Sequence, residues 1–308
     1  MLPIIDDMTA AFLAALQTGG QGLAVFMLPI LGVCAVIAYY REYSTTVMSS
    51  GAGMGDALAH ALLLVFATGC YLFLLTHLFT MAQAALDTVF AWGLQGAGGG
   101  VTSAQLRTPS FILDAGLKVA QPIADFDTWF RAAQSTIRLA AHPGDLLAYW
   151  VIMLSFIAIT AHHMMMLIEY HLAVAVAPVL IPWGIWRMSA GIAEFSLGWL
   201  TGGLIRALVS SALIGIATPL FALLQQPGGG GGFFTFTQTF VLMGGSLIYL
   251  VLCWVIPAQA ARLAGHASLG LTGSTLFQAA SSTARFGVAL TGVGRSASRV
   301  IAPMLRRR

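Results

Sequence analysis

The sequence predicts an all-α membrane protein that crosses the bilayer several times. Of its 308 residues, 58% are hydrophobic and only 8% are charged, whereas soluble domains carry roughly 25% charged residues. Several apolar runs, each with few or no charges, reach about 20 residues, the length that an α-helix needs to cross the hydrocarbon core. We therefore expect about five transmembrane helices, together with a re-entrant or interfacial half-helix and amphipathic periplasmic helices.

The first half of the chain divides into three segments. Residues 1–21 predict a short amphipathic helix that ends at a glycine pair. Residues 22–81 hold the first two transmembrane helices, in the apolar runs 22–40 and 57–81. Residues 82–145 carry five acids and four bases, which favours amphipathic helices that lie on the membrane or line a vestibule.

Residues 146–256 hold the core transmembrane helices. Their first apolar run continues for about 40 residues, too long for one straight helix to stay within a bilayer. Pro178 and Pro182 are the expected break points, because proline interrupts helical hydrogen bonding. The segment 172–186 is thus predicted to be a re-entrant or interfacial half-helix. Pro257 is expected to end the last span.

The C-terminal segment 257–308 contains seven arginines and no acid. Because cytoplasmic segments of membrane proteins are enriched in Lys and Arg, this tail is predicted to be cytoplasmic. Five spans then place the N-terminus and the segment 82–145 in the periplasm, whereas a sixth span would reverse the N-terminus.

Polar side chains inside the apolar runs are candidates for a functional role. His162, His163, Glu169 and His171 are close in sequence, but their spacing lacks the HExxH pattern of a helical zinc site. Contacts between helices, or the lining of a wet cavity, are the favoured interpretation. No metal and no cofactor are expected.

Arg206 lies near the middle of the predicted span 195–223. A charge at that depth needs a partner or water, so we expect either an ion pair with Glu169 or a water-filled cavity that the two residues share. Gly198 and Gly202 lie on the same stripe as Arg206 and form a GxxxG pair, which allows close helix packing. With Trp199 they are predicted to form a packing or oligomer surface, and a pathway-lining role for the stripe stays open.

Sequence motifs for enzymes are absent. The sequence contains no Walker A motif, no dinucleotide-binding fingerprint and no GxSxG elbow. The protein is therefore not expected to be an enzyme.

The stretch 169–220 resembles the TrbL family of conjugal-transfer proteins, and the similarity covers roughly residues 100–275. Each motif is short and apolar and is weak evidence by itself. The resemblance therefore rests on the order in which the motifs occur. These motifs are Glu169-Tyr170, Ile181-Pro182-Trp183-Gly184, Glu194, Gly198-Trp199 and Arg206. The base at the position of Arg206 is commonly lysine in that family, so a role that needs a removable proton is in doubt here.

The resemblance implies a subunit of a bacterial type IV secretion system in the inner membrane. It implies a homo-oligomeric ring, five-fold, in contact with pilin, minor stalk subunits, a bitopic arch protein and cytoplasmic assembly ATPases. It also implies roles in pilus biogenesis and in passing DNA or protein. We further expect ordered phospholipid beside residues 172–186, where Trp183 and Trp186 suit an interfacial depth.

The alternative function is a self-contained secondary transporter of a small solute. Such transporters show two matching halves with broken helices at corresponding positions. Only one proline-broken segment, 178–182, is visible, and no internal repeat accompanies it.

Overall fold

The computed structural model describes residues 2–49, 54–97, 101–124, 129–186, 189–224 and 236–266. Within these ranges the chain is almost entirely α-helical and contains no strand, which confirms the all-α prediction. The helices are α1 (Leu2–Ser49), α2 (Met54–Gly96), α3 (Ser103–Leu106), α4 (Ser110–Ala120), α5 (Trp129–Ala141), α6 (Pro143–Leu180), α7 (Ala190–Leu224) and α8 (Phe236–His266). A short 3-10 helix, Ile181–Ile185, follows α6.

Five helical segments in the described ranges are long and apolar enough to cross a membrane, as predicted. They are Ile4–Arg41, Ala61–Gly96, Pro143–Ile185, Ala190–Phe221 and Thr237–Arg262. In their most apolar stretches, 44% of the residues are buried for Pro143–Ile185 but only 11% for Ala61–Gly96. That stretch of α2 is therefore mostly uncovered by the rest of the described chain, whereas Leu86 and Phe90 farther along the helix are buried.

The first helix is longer than predicted. The glycine pair Gly19-Gly20 was expected to end it, but α1 continues to Ser49 without a break. A Cβ at Gly20 would lie only 2.6 Å from the Phe79 ring and 2.8 Å from the Cα of Ala175. Gly20 thus allows close packing against two other helices, which explains a glycine inside a helix.

Four prolines lie inside helices of the described chain, Pro29, Pro178, Pro219 and Pro257, and two of them bear on the predictions. Pro178 is within α6 and Pro257 is within α8, so neither ends its helix as predicted. In membrane helices the backbone group that proline frees can be satisfied by neighbouring groups. After Pro178, helix α6 continues to Leu180, and the 3-10 helix that contains Pro182 begins at Ile181. The predicted half-helix 172–186 is therefore the end of α6 plus this short turn.

The segment 82–145 begins as a continuation of α2, which runs to Gly96. Helices α3, α4 and α5 follow. At the other end, α8 reaches His266, and the predicted basic tail beyond it lies outside the described residues.

The chain forms two compact units. The first comprises Met1–Gln21, Leu78–Val176 and Gly198–His266, and the described part of the second comprises Gly22–His77 and Ala177–Leu197. In the first unit, the ring of Phe156 packs edge-on against Phe221, with ring centroids 5.4 Å apart, and both rings contact Tyr249. This aromatic cluster joins α6, α7 and α8.

Candidate functional site

A groove in the first unit brings together residues from α6, α7 and α8. Its volume is about 180 Å³. The lining residues are Met166, Glu169, Tyr170, Ala173, Gly198, Trp199, Gly202, Gly203, Arg206, Ala261 and Arg262. Five of the residues singled out from the sequence therefore share one surface: Glu169, Gly198, Trp199, Gly202 and Arg206.

An ion pair crosses this groove from α7 to α6. Nη1 of Arg206 donates a hydrogen bond to Oε2 of Glu169, which confirms the predicted pairing. The side chains remain 33% and 45% exposed, respectively. Nε of Arg206 is buried and has no acceptor among the described residues. Glu169 thus neutralises the charge of Arg206, while the Nε–H of Arg206 remains without an acceptor among the described residues.

Tyr170 forms the wall beside the ion pair. Its hydroxyl donates to the backbone carbonyl of Ala82 on α2, at 2.7 Å, so the side chain bridges α6 and α2. A Cβ at Gly203 would lie 3.0 Å from Cδ2 of the same ring. Gly203, which the sequence analysis did not single out, is therefore the glycine of α7 that permits close packing on α6.

Gly198 and Gly202 have a different environment. A Cβ at either position would meet no atom of the described residues within 4 Å. The structure therefore does not place them at a helix contact within the described chain. They border the groove instead.

Arg262 is a second base on the groove. It is the last residue of the candidate span Thr237–Arg262 and is exposed. It forms no ion pair within the described part of the chain. From the sequence, Arg262 was predicted to belong to the basic tail, since Pro257 was expected to end the helix. Because α8 continues through Pro257, Arg262 borders the groove.

The three predicted intramembrane histidines have separate environments. His163 is buried, and its Nε2 donates to the carbonyl of Leu106 at 2.7 Å. Its Nδ1 lies 3.4 Å from the hydroxyl oxygen of Ser210. His163 therefore fixes the short helix α3, which contains Leu106, to the side of α6.

The other two histidines make local contacts. The ring of His162 stacks on Trp254 of α8, with centroids 4.8 Å apart, and Nδ1 of His171 donates to the carbonyl of Leu167 on its own helix. Among the residues that the structure describes, no three His, Cys, Asp or Glu side chains are grouped so that they could hold a metal ion. The histidines contribute to packing, in different parts of α6.

The predicted interfacial residues belong to the second unit. The Arg41 guanidinium lies 5.9 Å from the ring centroid of Trp186, a cation–π distance. The hydroxyl of Ser189 donates to the carbonyl of Trp183 at 2.7 Å. A Cβ at Gly184 would lie 2.5 Å from the hydroxyl of Tyr71. Arg41 belongs to α1 and Tyr71 to α2, so the turn after α6 contacts both helices.

Comparison with known proteins assigns most of the chain to one family. The family model of the TrbL/VirB6 plasmid conjugal transfer protein matches residues 48–256, about two thirds of the chain. The match includes the ion pair and the glycines that border the groove. A comparison with curated proteins gives no match. The chain therefore belongs to the TrbL/VirB6 plasmid conjugal transfer family and is a multi-pass membrane component of a conjugal transfer (type IV secretion) system.

Proposed function

We propose that the protein is a non-catalytic channel or scaffold subunit of a type IV secretion system in the bacterial inner membrane. It assembles as a homo-oligomeric ring, with five copies, and supports pilus assembly and the passage of DNA or protein. Its partners are then pilin, minor stalk subunits, a bitopic arch protein and the cytoplasmic assembly ATPases. The half-covered ion pair of Arg206 and Glu169 is the observation that carries this proposal.

Arg206 lies at the middle of the candidate span Ala190–Phe221. Charged side chains at such a depth face protein, water or lipid headgroups, because contact with acyl chains is too costly. In a single chain, a third of the Arg206 side chain and almost half of the Glu169 side chain remain uncovered. This face is therefore incomplete within the described part of the chain, and a neighbouring copy or an aqueous lumen would complete it.

The uncovered glycines on the same face support this interpretation. Gly198 and Gly202 are one helical turn apart and border the groove with open space beside them. Small residues let helix backbones approach closely in membranes. The ring model uses this face of α7 for contact between copies, and the ion pair then lies at the edge of that contact.

Two measurements test the proposal. The purified protein is expected to form a symmetric ring in cryo-electron microscopy, and Arg206→Leu is expected to lower conjugation frequency at least tenfold. Arg107→Leu is the matched control, since Arg107 forms a comparably exposed pair with Asp87 outside the groove. A monomeric particle that transports a small solute would favour the secondary transporter instead.

The orientation is tested separately. A cytoplasmic tail places Ser103 of α3 in the periplasm, so a cysteine there should react with an impermeant reagent in intact spheroplasts, while a cysteine at Ser281 should not. The background variant needs Cys70 replaced, because Cys70 is exposed, whereas Cys34 and Cys253 are buried. Labelling of the Ser103 position only from the cytoplasm would contradict the five-span orientation.

A further inference from the structure

The groove combines positive charge with apolar walls. Arg206 and Arg262 border it together with one acid, Glu169, which leaves one positive charge without a partner in the groove. Guanidinium groups bind phosphate particularly well, because their N–H donors form a fixed fork. An anion that carries a phosphate group therefore fits the chemistry of the groove.

The position of the two arginines specifies the source of that phosphate. Arg262 ends the apolar segment of α8, whereas Arg206 is at the middle of the apolar segment of α7. Both residues border one groove, which thus adjoins the end of one candidate span and the middle of another. A lipid headgroup enters the membrane region in this way with its acyl chains attached, whereas a free phosphate ion would have to leave water.

The walls and the size of the groove agree with a headgroup. Met166, Ala173 and Ala261 are apolar lining residues, and Gly198 and Gly202 leave space open beside α7. A volume of about 180 Å³ is below the ~300–1,000 Å³ of pockets that enclose a whole small molecule. The acyl chains would therefore lie outside the groove, along exposed apolar side chains.

We propose that this groove binds the phosphate of an anionic phospholipid between Arg262 and Arg206. Arg262 supplies the unpaired charge, and Glu169 keeps the Arg206 side chain at the inner end of the groove. The lipid binds a single chain and needs no ring for binding; a neighbouring copy packed on Gly198 and Gly202 would compete with it for the same space. It differs from the lipid expected beside Trp183 and Trp186, which belong to the second unit.

Native mass spectrometry of the full-length, delipidated protein tests the site. The added lipids are phosphatidylglycerol, zwitterionic phosphatidylethanolamine and a diacylglycerol with the same acyl chains. Phosphatidylglycerol is expected to be retained best, because it is the anionic lipid of the three. The diacylglycerol is expected to be retained least, because it lacks a phosphate. Arg262→Gln is expected to lower the affinity for phosphatidylglycerol roughly fivefold, as for one base near an anionic surface.

Two further variants separate the groove from general adhesion. Lys118→Gln removes an exposed base outside the groove and should retain the lipid as the wild type does. Gly202→Leu should abolish retention by filling the groove without changing its charge. Equal retention of phosphatidylglycerol and diacylglycerol, or unchanged affinity in Arg262→Gln, would overturn the proposal. Displacement of the lipid by millimolar inorganic phosphate would also overturn it, since the site would then bind the free ion.

Discussion

Arg206 of α7 and Glu169 of α6 form an ion pair across the groove, and the described residues leave both side chains partly exposed. The two residues are 37 positions apart in sequence and are placed by the packing of Gly203 against Tyr170. The pair therefore depends on a close contact between two membrane helices, and it can be tested by mutation.

Arg206→Leu and Glu169→Leu are each expected to lower stability by about 1.5–3 kcal/mol at most, the range for a hydrogen bond to a charged group. Each replacement leaves the other charge without its partner. The double replacement should recover part of the loss, because no unpaired charge remains. Thermal unfolding midpoints in detergent, compared for the four proteins of the cycle, measure the coupling. Strictly additive losses would mean that the two side chains do not stabilise each other.

Gly203→Leu is expected to destabilise the fold, whereas Gly202→Leu is not. A side chain at Gly203 collides with the Tyr170 ring, which its bond to Ala82 holds in place, while Gly202 has open space beside it. Overpacking of this kind costs ~1–3 kcal/mol, and both variants gain the same helix propensity. The two unfolding midpoints should therefore differ by several degrees.

The Gly202→Leu variant also tests the proposed contact surface between copies in the ring. If Gly202 lies between copies of the chain, Gly202→Leu should fold normally and fail to form the ring, as judged by size-exclusion chromatography with light scattering. A Gly202→Leu protein that assembles like the wild type would rule out close helix packing at this position.

Asp6→Ala is expected to destabilise α4 by about 0.5–2 kcal/mol, the range for loss of a helix cap. The residue before α4 is Pro109, which offers no side-chain cap, and the Asp6 carboxylate instead accepts hydrogen bonds from the backbone N–H (3.0 Å) and the hydroxyl of Ser110. Faster amide hydrogen exchange at the start of α4 would show the loss. Asp7→Ala is the control, since Asp7 is an exposed neighbour; equal exchange in both variants would argue against capping by Asp6.

His163→Leu is expected to cost about 1–3 kcal/mol, because it leaves the buried carbonyl of Leu106 without its donor. His171→Leu should cost less, since the carbonyl of Leu167 that it contacts belongs to its own helix. Thermal unfolding in detergent compares the two variants. A larger loss for His171→Leu would contradict the assignment of His163 as the residue that holds α3.

The membrane spans and the ion pair could both be predicted from the sequence. The spans follow from the length of the apolar runs. The ion pair could be predicted because few acids are available as partners for Arg206: Glu169 and Glu194 are the only acids after Asp145. A charge in the middle of α7 therefore had few possible partners.

The ends of the helices and the contacts between them could not be predicted in the same way. Pro178 and Pro257 disfavour a helix locally, but whether the helix continues depends on neighbouring groups that the local sequence does not identify. Gly203 and Gly20 are glycines because of what packs against them, namely Tyr170 in one case and Phe79 with Ala175 in the other. The periodicity of one helix indicates its faces and does not indicate which residue of another helix lies opposite.

The Arg206–Glu169 pair also bears on how the protein is made. An arginine near the centre of a helix adds ~2.5–3.5 kcal/mol to the free energy of its insertion by the translocon, so α7 is a weaker independent inserter than its hydropathy indicates. Helix α6 is synthesised first and carries the carboxylate that offsets this charge. The two helices are therefore expected to leave the translocon together as a hairpin. Glycosylation-site mapping of nascent chains that carry Glu169→Leu should then reveal a population in which α7 fails to integrate.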